Sequence, residues 1–386
     1  ALGRPIGTGS SLLEEGIGSL DLIKILPPTR RLLGWQLSIF DLISADTAAE
    51  LAAAAPRIPA EPDPATVAEI DRDMSVWESR RTRRPAGEPV ANRTDTVVVL
   101  GASGILGRGF AEAVLAARRA GTPLPDVVLA MRSALPDGDP WESLAGMPGV
   151  RLERMPDGFG PAEVDALLCD TGATTLVNCI GSANMLVPYA DLRPANLDIV
   201  PVTIDACLRR AVSLVHLSTS VVVDQIGARH VVDPRRAPYP YAAVKALAEV
   251  VVAGAPDDLD FTMVRLPRIL GEPDQLVDSS DILVSMVDAC AALGVRPRLV
   301  VREEVTTGRA AAQSILRRLP RPGGPRRLGR DITALRGTVV DYSVFLADFA
   351  PDELDVADWK RRLDDSGWAR ANPGRWSIID AWLSLG

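Results

Sequence analysis

An α/β fold built on a parallel sheet is predicted by three observations. Short apolar runs recur at residues 96–100, 126–131, 175–180, 213–219 and 261–265, with little polar alternation within them. Segments of helical pattern separate these runs, the arrangement of a sheet covered on both faces. The first run ends in the glycine-rich stretch Gly101-Ala-Ser-Gly-Ile-Leu-Gly107, where a strand must turn sharply into a helix.

The elements follow in order. Residues 1–55 are mildly apolar and helical in pattern. From 56 to 92 proline and charge dominate, which reads as a linker carrying one helix over 65–81. Strand one is followed by a helix from 105 to about 120. Strand two covers 126–131 and strand three 150–154. Pro161 opens a helix to about 170, strand four covers 175–180, and a helix over 194–210 leads to strand five at 213–219. Pro240 suits a first helical turn, where its missing N–H costs nothing, and strand six begins at Phe261. The sheet domain is expected over 93–267. A smaller, mostly helical part is expected over 268–386, with helices at 280–293, 307–318, 342–349 and 352–363 and a short strand at 338–341. The tryptophans at 359, 368, 376 and 382 read there as core.

Composition narrows the function. A net charge of -8 with few aromatics argues against a nucleic-acid partner. Cys169, Cys179, Cys207 and Cys290 form no CxxC pair. Cys179 and Cys207 sit among apolar residues as buried thiols, which suggests a reducing, cytoplasmic setting. Two histidines exclude a histidine-rich metal centre. No stretch approaches the roughly 20 apolar residues of a membrane span, and no signal peptide is expected.

The glycine-rich turn lies between a strand and a helix, the context a dinucleotide-binding motif of Rossmann type requires. Gly101 permits the tight turn, Gly104 lets backbone approach a pyrophosphate, and Gly107 lets the helix pack on the sheet. With Ser103, Ile105 and Leu106 they are the candidates to line the cofactor, helped by unpaired N–H groups at the helix start. After strand two stands Arg132 in place of the acid common in NAD enzymes. An arginine there pairs with a 2′-phosphate, which favours NADPH.

The chain has four tyrosines and three lysines, and Tyr241 and Lys245 stand four apart on a predicted helix, hence on one face. An ammonium beside a phenol favours the phenolate, which makes the tyrosine usable as an acid. Lys245 is also expected to hold the nicotinamide ribose. Ser218, Thr219 and Ser220 end strand five at the edge where ligands gather. Any of them could join Tyr241 in holding a substrate carbonyl oxygen as negative charge develops on it. The combination points to a nicotinamide-dependent reductase.

From about Thr94 onward the chain resembles the thioester reductase domains that terminate some nonribosomal peptide and polyketide synthases, within the extended short-chain dehydrogenase/reductase superfamily. The resemblance is carried by the three glycines, Tyr189-Ala-Asp-Leu-Arg-Pro-Ala-Asn196, His216-Leu-Ser-Thr219, Tyr241-x-x-x-Lys245-x-x-x-Glu249 and Arg265-Leu-Pro267. It implies the hydroxyl role for Thr219 and places Asn178, Gly181 and Ala183 along the cofactor. Met155-Pro-Asp157-Gly stands where these reductases have Gly-Asp-Leu and an insertion, and Val244 replaces their serine before the lysine.

The amino-terminal segment is similar to a small helical thiolation (carrier) domain. Gly18-Ser19-Leu20 matches the surround of a phosphopantetheine attachment serine, although only 18 residues precede Ser19 and Pro27-Pro28 would break the helix that follows it. The resemblance implies NADPH-dependent release of a phosphopantetheine-bound acyl or peptidyl thioester as an aldehyde, or further as an alcohol. It also implies upstream synthase modules as partners in natural product biosynthesis. Two alternatives use the same residues. One is a reductase or epimerase acting on a free small molecule such as a nucleotide sugar. The other is a redox-neutral or non-catalytic domain that binds the carrier and releases product.

Overall fold

The computed structural model describes residues 7–11, 29, 45, 47–50, 64–80, 95–183, 187–223, 227–237, 239–276, 281–299, 301–319 and 329–384. Ser19 and most of the carrier-like segment lie outside these residues. The chain divides into two units: residues 65–272 with 306–336, and residues 1–64 with 273–305 and 337–386.

The first unit is the sheet. It opens with helix α1 (Pro64–Arg80), followed by β1 (Thr96–Leu100), α2 (Ile105–Arg119), β2 (Asp126–Met131) and β3 (Val150–Arg154). Next come α3 (Pro161–Asp170), β4 (Thr175–Asn178), α4 (Tyr189–Arg193), a wide helical turn (Pro194–Asp198) and α5 (Ile199–Arg210). Then follow β5 (Ser213–Thr219), α6 (Pro240–Ala253) and β6 (Phe261–Leu266). The later segments of the chain supply α7 (Ile282–Leu293), β7 (Val295–Pro297), β8 (Arg302–Thr307), α8 (Gly308–Leu316) and β9 (Arg330–Ala334).

Seven strands lie in the order β9-β6-β5-β4-β1-β2-β3, every neighbouring pair parallel. Val98, Leu100, Leu176, Leu214 and Met263 face one apolar layer with residues of α3, α5 and α6. Val97, Val99, Val177, Val215 and Val264 face the other, with α2 and α8. Burial on both faces is why these strands read as continuous apolar runs. Proline occupies the first turn of both α3 and α6, as expected.

Two segments lie elsewhere than the sequence reading put them. Residues 306–336, expected in the smaller part, belong to the sheet unit. There α8 packs on α2, and β9 pairs with β6 from Arg330↔Phe261 to Ala334↔Arg265. The helix contact is close enough that a Cβ on Gly109 would fall 2.2 Å from the Gly308 carbonyl carbon. The helix of the expected linker, α1, also packs on this unit, with Ile70 buried in the core and Met74 and Trp77 against it. Its apolar positions recur at 70, 74 and 77, one helical face hidden in a charged composition.

The second unit contains α7 and β7, with β10 (Thr338–Asp341) antiparallel to β8 over Arg302–Val305. Helix α9 (Tyr342–Ala347), β11 (Asp352–Leu354), α10 (Val356–Asp364) and α11 (Pro373–Ser384) complete it. Trp359 is fully buried and donates through Nε1 to the Val295 carbonyl at 2.9 Å, and Trp382 stacks on Tyr342. Trp368 and Trp376 are only partly buried, each donating to a carboxylate, Asp288 and Asp364. All four cysteines are free thiols. Cys207 is buried as expected, and Cys179 only partly so. Among the described residues, no helix is long and apolar enough to cross a membrane.

Candidate active site

The strand order reverses between β1 and β4, and ligands of open α/β sheets bind outside the carboxyl ends at such a switch point. Gly101 leaves β1 with φ +80°, a conformation that favours glycine, and a Cβ there would press on Ile180 at 3.1 Å. At Gly107 a Cβ would lie 2.2 Å from the Gly101 carbonyl oxygen, so only glycine lets α2 start this close to the turn. Gly104 begins α2 with no side-chain cap, and no acid stands in the first turn. Ser103, Gly104 and Ile105 are exposed, and a Cβ on Gly104 would meet nothing closer than 3.5 Å. The N–H groups of Gly101 and Ala102 donate to the Ala130 carbonyl and that of Gly104 to Gly101, so the turn presents the uncapped N-terminus of α2, a feature suited to a dinucleotide phosphate. Leu106 turns inward toward the core. Arg132 follows β2 directly and is exposed.

Asn178 ends β4. Its side-chain oxygen accepts from the Ile180 N–H at 3.1 Å, while its buried Nδ2 has no partner among the described residues. Gly181 and Ala183 follow on an exposed loop. Sequence reasoning did not single out Asn196 as a site residue, although it belongs to the quoted Tyr189–Asn196 segment. Its carboxamide accepts from the Ser182 N–H at 3.2 Å and donates to the Ser182 carbonyl at 3.0 Å. A Cβ on Gly181 would come within 3.1 Å of the same oxygen. Asn196 thus clamps the loop that follows β4.

Thr219 and Tyr241 come together at the end of β5, with the Thr219 hydroxyl near enough to the phenol to lower its pKa. Of the three hydroxyls that strand alternation left open, Ser218 and Ser220 are buried. Burial pushes the Tyr241 phenol up to about 12, against a lowering by the neighbouring Thr219 hydroxyl and the charge of Arg268. Arg268, two residues beyond β6, is a cation that favours the phenol's ionised form. Lys245 lies one helical turn along α6 and donates through Nζ to the Leu217 carbonyl at 2.7 Å. Burial lowers it to about 8, while the Glu249 carboxylate one turn further on works in the opposite sense.

Beneath these groups runs a buried polar seam on one face of the sheet. Asn178, His216, Ser218 and Arg265 occupy same-face positions of β4, β5 and β6. Arg265 and Glu249, both with no exposed side-chain surface, form a two-pronged pair at 2.9 and 2.6 Å. Arg265 also donates to the carbonyls of Ala228 and His230. Burial, then the Lys245 charge, holds His216 neutral, well below the usual imidazole range.

No protein-family profile matches the chain. Its full length aligns at 53% identity over 394 residues with the isonitrile lipopeptide synthase of Mycobacterium marinum (strain ATCC BAA-535 / M), of which it spans 28%. A 90-residue stretch, 23% of the chain, is 54% identical to part of the isonitrile lipopeptide synthase of Mycobacterium tuberculosis (strain ATCC 25618 / H37Rv), covering 3% of that protein. The chain is structurally similar to the terminal R domain of the myxalamid PKS-NRPS pathway, with a TM-score of 0.58 and 18% identity over 80% of this chain and 85% of that one. It is similar also to a thiolation-reductase di-domain of an archaeal nonribosomal peptide synthetase, with a TM-score of 0.56 and 14% identity over 99% of this chain and 85% of that one. The fold of this chain is the one seen in the terminal reductase domains of these synthases.

Proposed function

We propose that this chain reduces a phosphopantetheine-bound acyl or peptidyl thioester with NADPH and releases it as an aldehyde. The observation that carries the reading is the Thr219 hydroxyl beside the Tyr241 phenol at the end of β5, with Lys245 in the next turn of α6. The identity to a lipopeptide synthase segment supports a lipopeptidyl thioester as the substrate class.

The residues present fit the cofactor. The Gly101–Gly107 turn, with the uncapped start of α2, would hold its pyrophosphate, Arg132 its 2′-phosphate, and Asn178, Gly181 and Ala183 its nicotinamide side. Bound NADPH supplies a hydride to the thioester carbon. Tyr241, protonated throughout the neutral range, donates its proton to the carbonyl oxygen, and Thr219 holds that oxygen with a second hydrogen bond. The resulting hemithioacetal breaks its C–S bond, giving an aldehyde and the free pantetheine thiol. Lys245 keeps a positive charge beside the reacting oxygen and is placed to hold the ribose.

Incubation with NADPH and acyl-pantetheine thioesters of increasing chain length should consume NADPH and yield aldehyde by mass. Bound cofactor without consumption across the series would overturn the reading. Arg132→Ala should weaken NADPH by roughly 10- to 100-fold, the worth of a hydrogen bond to a charged group, and leave NADH nearly unchanged. Equal loss for both cofactors, by fluorescence titration, would place the 2′-phosphate elsewhere.

The pH dependence follows from Lys245. Its pKa is lowered to about 8, so the charged form is present below that value and is lost as pH rises through it. Tyr241, raised to about 12, keeps its proton over the same range. kcat/KM for reduction should therefore fall through a single ionisation near pH 8. A profile flat to about pH 9.5 would show that the Lys245 charge is not used.

A further inference from the structure

The helix that precedes the sheet, α1, reaches the loop that follows β4 through a short chain of contacts. The Asp73 carboxylate accepts from the Tyr189 hydroxyl at 3.1 Å and pairs with Arg193 Nε at 3.0 Å. Tyr189 is 1% exposed and Asp73 only 9%, so the contact is dry. Ile70, one turn earlier on α1, is buried in the same core as Tyr189, Leu192 and Leu197. Arg193 turns its other end to Asp198 at 3.4 Å, which ties α4 to the far side of the wide turn. Within that turn stands Asn196, anchored to the Leu192 carbonyl at 2.9 Å and clamped to both backbone groups of Ser182. Arg235 adds a second attachment, pairing with Asp71 of α1 at 2.6 Å.

A one-ångström shift of α4 would carry Asn196 with it, because the carboxamide has no slack: each of its polar atoms is already bonded to the loop or to its own helix. We propose that Asp73 is a positioning residue for the Gly181–Ser182 loop, acting through Tyr189, Arg193 and Asn196. The segment that joins the carrier-like region to the sheet then helps set dinucleotide affinity without touching the dinucleotide. This inference rests on reading the switch point as an NADPH site.

The test uses the full chain, with NADPH Kd measured by fluorescence titration at 25 °C beside the thermal midpoint of each variant. Asp73→Ala should raise the Kd by roughly 3- to 30-fold, the span produced by changes along a packed, hydrogen-bonded chain. kcat at saturating NADPH should stay within about twofold. Asn196→Ala should raise the Kd as well, and the double variant should bind no worse than the weaker single one, since both remove the same positioning. Asp73→Glu should restore part of the loss. If Asp73→Ala fails to fold, Tyr189→Phe, which removes only the hydroxyl, takes its place with the same expectation. A lowered thermal midpoint with unchanged Kd would reduce Asp73 to a structural contact, and additive losses in the double variant would break the proposed link. Failure of the unaltered chain to bind NADPH would instead remove the cofactor reading itself.

Discussion

Replacing Tyr241 with phenylalanine is expected to lower turnover by roughly 10²–10⁴-fold, the usual contribution of a positioned acid. The substitution deletes one oxygen and leaves the ring, which stacks on Tyr239 with centroids 6.4 Å apart. Packing on α6 and the phosphate turn should therefore survive, and NADPH should bind as before. Thr219 cannot replace the lost donor fully, because an aliphatic hydroxyl is a much weaker acid than a phenol. Thr219→Ala should cost less than Tyr241→Phe, since the phenol remains to deliver the proton. Near-full activity in purified Tyr241→Phe would exclude the phenol as the acid.

The second large effect is on stability. Arg265→Met should destabilise the fold by about 3–5 kcal/mol, the cost of leaving one member of a buried pair uncompensated. Here the stranded group is Glu249, whose side chain has no exposed surface. The carbonyls of Ala228 and His230 would lose their donor as well. A companion replacement of Glu249 by an apolar residue should recover much of the loss, because a dry pair replaced as a whole can be nearly neutral. Urea denaturation of the single and double variants reads both numbers. A single variant within about 0.5 kcal/mol of the parent, the ordinary range for surface changes, would mean that the pair is not buried in solution.

The five apolar strands β1, β2, β4, β5 and β6 were legible because each is covered on both faces, which leaves nearly every residue buried. β9 was not, for the opposite physical reason. It lies at the sheet edge, only Ile332 of its five residues is buried, and Arg-Asp-Ile-Thr-Ala carries no strand signature. The glycines were readable one by one, since Gly101 and Gly107 answer to backbone geometry that composition cannot disguise. Tyr241 and Lys245 were readable as a pair by spacing on one helix. Where the ammonium points was not, because its partner, the Leu217 carbonyl, is a backbone atom 28 positions earlier in the chain. Arg268 and Asn196 were missed as site residues for a related reason: each acts across a tertiary contact that no local pattern announces.

The two units are interleaved along the chain, and this bears on how the protein is made. The ribosome delivers β1 through β6 in order, then residues 273–305, which belong to the other unit, and only afterwards α8 and β9. Until residue 334 has emerged, β6 has an open flank and the groove on α2 that receives Gly308 is bare. A nascent chain therefore spends time with a long, apolar parallel edge exposed, the state most prone to intermolecular pairing. The same order rules out the obvious excision. A fragment ending after β6 would carry every candidate catalytic group and still lack the strand and helix that close its sheet. Moving the sheet unit intact into another chain therefore requires both crossings of the chain to move together.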